Sequence, residues 1–218
     1  MTATTEGLHH VTAIAGDPQK NIDFYITGLG LRLVKKTVNF DDPGTYHLYY
    51  GDEAGRPGSL MTFFPWRGVA GGRIGAGQST STAFSVPAGS LGWWTEHFAK
   101  SGVEGRITST SSDEERLLVA DPDGLQIELV ATHADDPRDP WDSASVPAEY
   151  AIRGQHSSVL TVRDATKTVE LMVNDLGMRV VEEQGNRTRL AAGSGAPGTL
   201  VDVISSNLVA QGLTAGGT

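Results

Sequence analysis

A strand–helix–strand–strand–strand pattern that recurs three times most restricts how these 218 residues can fold. Residues 17–31 and 164–178 match, 147 positions apart. Asp17 aligns with Asp164, and Ile22, Tyr25, Ile26 and Leu29 align with Val169, Met172, Val173 and Leu176. Apolar residues at i, i+3, i+4 and i+7 predict an amphipathic helix. Asp17 and Asp164 suit the N-cap, Pro18 suits the first turn, and Gly28, Gly30 and Gly177 stand where a helix stops.

Strand-like runs flank both helices. LHHVTAI precedes the first, with LRLVKKTVNF, YHLYY and SLMTFF after it. SSVLTV precedes the later one, followed by MRVVEE, RTRLAA and TLVDVI. A middle copy runs STAFSV, then a helix with Leu91, Trp94 and Phe98 on one face, then ITSTS, RLLVA and LQIELV. Such repeats bury their apolar faces on one another. The pattern therefore predicts an α+β fold of tandem βαβββ modules, whose half-barrel sheets pair around a cavity.

The modules are expected over residues 6–66, 78–132 and 150–205. Residues 67–78 (RGVAGGRIGAGQ) are glycine-rich and residues 133–147 are rich in Asp and Pro, so both read as linkers. Residues 206–218 carry no element-like pattern, and read as a tail or a linker to an absent fourth module. Modules that close in pairs leave one of three without a partner. A truncated chain is the favoured explanation, and an unpaired apolar sheet face also predicts a homo-oligomer.

The net charge of -9 argues against nucleic-acid or anionic-membrane partners, which would be repelled. The absence of cysteine excludes disulfides, thiolate nucleophiles and zinc–thiolate sites. The first residues lack a basic stretch leading into an apolar one, and no apolar run nears the roughly 20 residues a spanning helix needs. The expected location is cytoplasmic.

The sharpest chemical feature is His9-His10 at the start of the first strand. Neighbours on a strand point to opposite faces, so one imidazole should face the cavity. Imidazole ligates iron, zinc and manganese, but a half-buried core histidine beside a surface one is the plainer reading. A second feature is a carboxylate four residues after the glycine that opens the last strand of a module. Glu128 and Asp202 occupy that position, and Thr62 occupies it in the first module. Either could ligate a metal or lie on a solvent face. With His156 they would make a small ligand set, but the alignment places His156 opposite His9 and Ser157 opposite His10, which points His156 away. His47 and His97 read as structural or surface groups, and Trp93-Trp94 as a packing anchor.

Several segments together resemble ring-cleaving dioxygenases of the vicinal oxygen chelate superfamily that act on hydroquinones. They are Gly7-Leu8-His9-His10-Val11-Thr12, Tyr46-His47-Leu48-Tyr49-Tyr50-Gly51-Asp52-Glu53 and Met61-Thr62-Phe63-Phe64-Pro65, with Asp121-Pro122-Asp123-Gly124 and Arg153-Gly154-Gln155-His156-Ser157 farther on. The resemblance implies four modules, the first and fourth closing around Fe(II), or Mn(II) in relatives. It implies a ligand set of two histidines and one carboxylate, with His10 as the first-strand ligand. His9 would relay a substrate proton, and Thr12 would orient a bound oxygen. The partners implied are a small aromatic substrate and O2. In the family the second histidine and the glutamate come from the fourth module, so this chain alone is expected to lack activity unless another chain supplies them. The alternatives on the same fold are a glyoxalase-like isomerase and a metal-free binding protein of the bleomycin-resistance type. The isomerase would want a carboxylate where Thr62 stands.

Overall fold

The computed structural model describes residues 5–109, 114–132 and 136–218. The carboxylate of Asp17 accepts hydrogen bonds from the backbone N–H groups of Gln19 and Lys20 at 2.8 and 3.1 Å. That cap, with Pro18 behind it, starts α1 (Pro18–Asp23). The uninterrupted helix expected here gives way to a wider π turn over Phe24–Gly28. Two adjacent aromatics explain it, because a wider turn lets both reach the core. Phe24 stacks on Phe98, while Tyr25 lies between Tyr50 and Phe63.

Around this helix stand β1 (His10–Ala15), β2 (Arg32–Val38), β3 (Tyr46–Gly51) and β4 (Leu60–Pro65). They form a four-stranded sheet in the order β1-β4-β3-β2. β1 and β4 run parallel, with Thr12 opposite Thr62. Strand alternation sorts the side chains. Ala13, Ala15, Leu48, Tyr50, Met61 and Phe63 are buried in the core that includes Tyr25 of the helical segment. The alternate residues form the other face.

The second module comprises β5 (Gln78–Pro87), α2 (Leu91–Lys100), β6 (Arg106–Ser109), β7 (Glu115–Ala120) and β8 (Gln126–Thr132). The third comprises β9 (Gly154–Val162), α3 (Thr166–Asn174), β10 (Arg179–Gln184), β11 (Arg187–Ala191) and β12 (Leu200–Ser205). Antiparallel pairing of β5 with β9 fuses them into one eight-stranded sheet, β10-β11-β12-β9-β5-β8-β7-β6. The end of the expected ITSTS strand (residues 110–111) and the start of the Asp/Pro-rich linker (133–135) lie outside the described residues. No helix among the described residues is long and apolar enough to cross a membrane.

The glycine-rich segment and the C-terminal residues depart from the plain-linker expectation, because they pair with each other. Val69, Ala70, Gly72 and Gly77 match Val209, Ala210, Gly212 and Gly217, 140 positions on. The backbone hydrogen bonds are reciprocal about Arg73 and Leu213. Arg73 N–H donates to the Leu213 carbonyl at 3.0 Å, and Leu213 N–H to that of Arg73 at 2.9 Å. Gly72 donates to Gly216, and Gly212 to Ala76. Beyond them Gly77 N–H reaches the Thr161 carbonyl and Gly217 N–H the Ile14 carbonyl, again matching positions of modules three and one.

Asp121 joins the first two modules. Its carboxylate accepts from the N–H groups of Asp123 and Leu125, both at 2.9 Å, and from the Tyr25 hydroxyl at 3.2 Å. Burial outweighs these bonds and pushes its pKa up to about 6. A carboxyl whose folded pKa exceeds its unfolded one binds more protons folded, so stability falls as pH rises from about 4 to about 6. Asp121→Asn removes that charge. It should flatten this part of the pH–stability curve and recover up to about 3 kcal/mol above pH 7. Urea unfolding at pH 4.5 and pH 8 checks this, and an unaltered pH slope in the variant would exclude Asp121 as its source.

Candidate functional site

The start of β1 is held by a reciprocal set of backbone bonds. Gly58 N–H donates to the His9 carbonyl at 2.9 Å, and Gly198 N–H to the His156 carbonyl at 2.8 Å. In return the Gly58 carbonyl accepts from Gln155 N–H and the Gly198 carbonyl from Leu8 N–H, both at 2.8 Å. Both glycines have a positive φ, +82° and +92°, a region other residues enter only with strain. Arg138, ion-paired to Asp136, donates to the Gln155 carbonyl at 2.9 Å and locks the junction.

His9 and His10 emerge here side by side. Their Nδ1 atoms lie 2.9 Å apart and their rings meet edge to face at 5.1 Å. The expected division to opposite faces fails because β1 begins only at His10, so the pleat does not govern His9. Burial, and secondarily His9, hold the His10 pKa below its ordinary value. The Nδ1–Nδ1 contact leaves Nε2 of His10 for another partner.

The open face of the first sheet continues from His10 as two rows. Thr12 and Thr62 share a hydroxyl–hydroxyl hydrogen bond of 2.9 Å, and Thr62 lies opposite Tyr49 on β3. The Tyr49 hydroxyl is 2.9 Å from Nδ1 of His47. The His47 ring packs between Tyr49 and Phe64, with centroids at 4.1 and 4.0 Å. Burial, then the charge of His10 and of Lys35, hold the His47 pKa down. His47 thus shares a face with His10, which the sequence reading missed. The signal lay in Tyr46-His47-Leu48-Tyr49-Tyr50, where buried Leu48 and Tyr50 put His47 and Tyr49 on the opposite face. His97 is structural as expected, stacked on Trp93 with Nε2 3.0 Å from the Gly28 carbonyl.

The donor set on this face is the imidazoles of His10, its neighbour His9 and His47, with hydroxyls, and no carboxylate at Thr62. Among the described residues no three His, Cys, Asp or Glu side chains converge in a way that would hold a metal ion. These residues therefore do not by themselves fit a complete metal centre.

Glu128, His156 and Asp202 do meet in a buried charge cluster between modules two and three, where arginines separate them. The guanidinium of Arg116, 2% exposed, lies 2.5 Å from Glu128, 2.6 Å from Glu114 and 3.9 Å from Asp202. Arg189 donates to Asp202 at 2.8 Å and Glu114 at 2.9 Å, and Arg187 also pairs with Asp202. Glu128 is thus paired with a buried arginine rather than lying on a solvent face. His156 does point inward. It falls in a bulge where Ala83 opposes Ser157 and Phe84 opposes Gln155, and its Nε2 is 3.5 Å from Glu114. Burial holds its pKa down. Burial raises the pKa values of Glu114 and Asp202, but hydrogen bonds from His156 and Arg189 to Glu114, and from Arg189 and Arg187 to Asp202, overcome it and keep both ionised.

The fold defines a tandem βαβββ protein with one buried charge cluster and one histidine-bearing sheet face. Residues 7–129 match the family model of the Glyoxalase/Bleomycin resistance protein/Dioxygenase superfamily. A Bacillus subtilis (strain 168) protein provisionally named ring-cleaving dioxygenase MhqE is 44% identical over 199 residues, covering 91% of this chain and 65% of its own length. The chlorohydroquinone/hydroquinone 1,2-dioxygenase of Sphingobium indicum is 38% identical over 202 residues, covering 91% and 63%. The chain therefore spans slightly less than two thirds of the length of these relatives. The crystal structure of a provisionally named dioxygenase from Bacillus subtilis subsp. subtilis str. 168 superposes with TM-score 0.92 at 39% identity, covering 100% of this chain and 69% of that one. Glyoxalase I from Zea mays shares the fold, with TM-score 0.71 at 17% identity, covering 97% and 72%. The chain belongs to the glyoxalase/bleomycin resistance/dioxygenase superfamily.

Proposed function

We propose that this chain carries the first-module half of a ring-cleaving dioxygenase site that uses Fe(II), or Mn(II), and O2 to open hydroquinone- or catechol-type rings. The observation that carries the reading is His10, exposed at the start of β1 and backed by His9, in a chain with relatives named for this activity. His10 supplies one imidazole ligand, and residues outside these 218 complete the set, from a further module or a second copy. His9 is within hydrogen-bond reach of His10 and can accept a proton on the open side of the face. Thr12, fixed by Thr62, presents a hydroxyl two residues along the same strand.

Oxygen-electrode measurements on the assembled protein test the reading. O2 uptake with hydroquinone that requires added Fe(II) and stops with a chelator is expected. Binding of the aromatic without metal and without any O2 uptake would point to a binding protein instead.

A further inference from the structure

The open face of the first sheet holds a polar group without a partner. Nε2 of His47 is buried at the atomic level and makes no hydrogen bond. Leaving such an atom unmatched costs about 1–3 kcal/mol, so a ligand atom that satisfies it gains correspondingly. Phe64 and Tyr49 flank the ring and the Tyr49 hydroxyl engages Nδ1, so a ligand hydroxyl reaches Nε2 where these flanking rings part.

We propose that His47 is the recognition group for a phenolic hydroxyl on the aromatic substrate, the hydroxyl remote from His10, with Tyr49 positioning its ring. This rests on the reading that an aromatic ring lies on this face, and adds which of its substituents is read. The chemistry of the pair selects a hydroxyl. If the Tyr49 O–H donates to Nδ1, the ring proton sits on Nε2, which then donates. If Nδ1–H donates to Tyr49, Nε2 accepts. A phenolic hydroxyl satisfies either tautomer because it both donates and accepts, whereas an ammonium or a carbonyl satisfies only one. The stacked pair Phe64 and Trp66, 6.4 Å apart, extends the aromatic wall along the same strand. Sites built to hydrogen-bond a hydroxyl reject the analogue that lacks it.

The test is ligand-observed NMR titration of the metal-free 218-residue chain with hydroquinone and with phenol. The wild type is expected to prefer hydroquinone about tenfold. His47→Phe keeps the stack and removes both nitrogens, so it should abolish the preference by weakening hydroquinone alone. His47→Gln, which retains an amide, should keep part of it. Tyr49→Phe should alter the side-chain 15N tautomer signature of His47 and reduce the preference. Equal affinity for both ligands in the wild type, no binding of either, or an equal loss of both in His47→Phe would overturn the proposal. Iron binding separates this outcome from failure of the dioxygenase reading. Hydroquinone preference without Fe(II) affinity in the assembled protein leaves His47 in place and removes the iron. Fe(II) bound through His10 with His47→Phe neutral does the reverse.

Discussion

His10→Ala is expected to lower the Fe(II) affinity of the assembled protein roughly a thousandfold, about 4 kcal/mol. Ring cleavage should be lost with it. On the proposed reading of a three-ligand set, losing one imidazole leaves too few donors to hold the ion against water, so the effect falls on binding before it falls on turnover. Folding should be unaffected, because His10 is exposed and the start of β1 is held by backbone bonds through Gly58 and Gly198 rather than by the ring. His9→Ala makes the contrast. It removes the Nδ1 contact with His10 but no proposed ligand, so metal affinity should fall only about 10–100-fold. The pH dependence of turnover should change with it. Anaerobic Fe(II) titration beside oxygen-uptake profiles separates the two variants. If His10→Ala binds iron as the wild type does, the ligand lies elsewhere and the histidine pair has another role.

The modules were legible because each carries two periods, 3.6 for the helix and 2 for the strands, in a fixed order. The alignment of Asp17 with Asp164 located one N-cap, Asp17, but the third helix starts a residue later than expected: Ala165 is its N-cap, and Asp164 accepts a single backbone bond, from Thr166. Three features escaped the patterns, each for a physical reason. The π turn at Phe24–Gly28 arises from where two aromatic rings fit, which helical periodicity does not encode. Inward rotation of His156 comes from a β-bulge, and a one-residue irregularity reverses the face that alternation assigns. Reciprocal pairing of residues 67–78 with 207–218 lives in backbone hydrogen bonds between glycine-rich segments, whose side chains leave little pattern. The site itself was half legible. His9, His10 and Thr12 stand out in a short motif, but His47 and Tyr49 join their face only through the order β1-β4-β3, a fact of topology.

Arg116→Ala is expected to destabilise the protein by about 3–5 kcal/mol, the cost of leaving buried charges without their partner. At this chain length that corresponds to roughly 10 °C in Tm. The guanidinium faces Glu114, Glu128 and Asp202 from a fully buried position. Without it, two arginines, Arg187 and Arg189, remain for three carboxylates, and Glu128 loses its 2.5 Å partner. The deficit should have a pH signature. An unpaired buried carboxylate has a raised folded pKa, so the variant regains stability as pH falls through that value, and its gap from the wild type narrows toward pH 5. Arg116→Met alone should be no better than alanine, because packing returns while the charges stay. Arg116→Met with Glu128→Met should recover much of the loss, since a buried ion pair replaced as a unit by apolar groups is often neutral. Urea unfolding of all three at constant m gives the comparison. A cost below about 1 kcal/mol for Arg116→Ala would mean that water reaches the cluster and compensates the carboxylates. The expected pattern would instead establish modules two and three as a dry, charge-balanced scaffold. Their carboxylates would then be committed to arginine, leaving metal chemistry to the open face that carries His10.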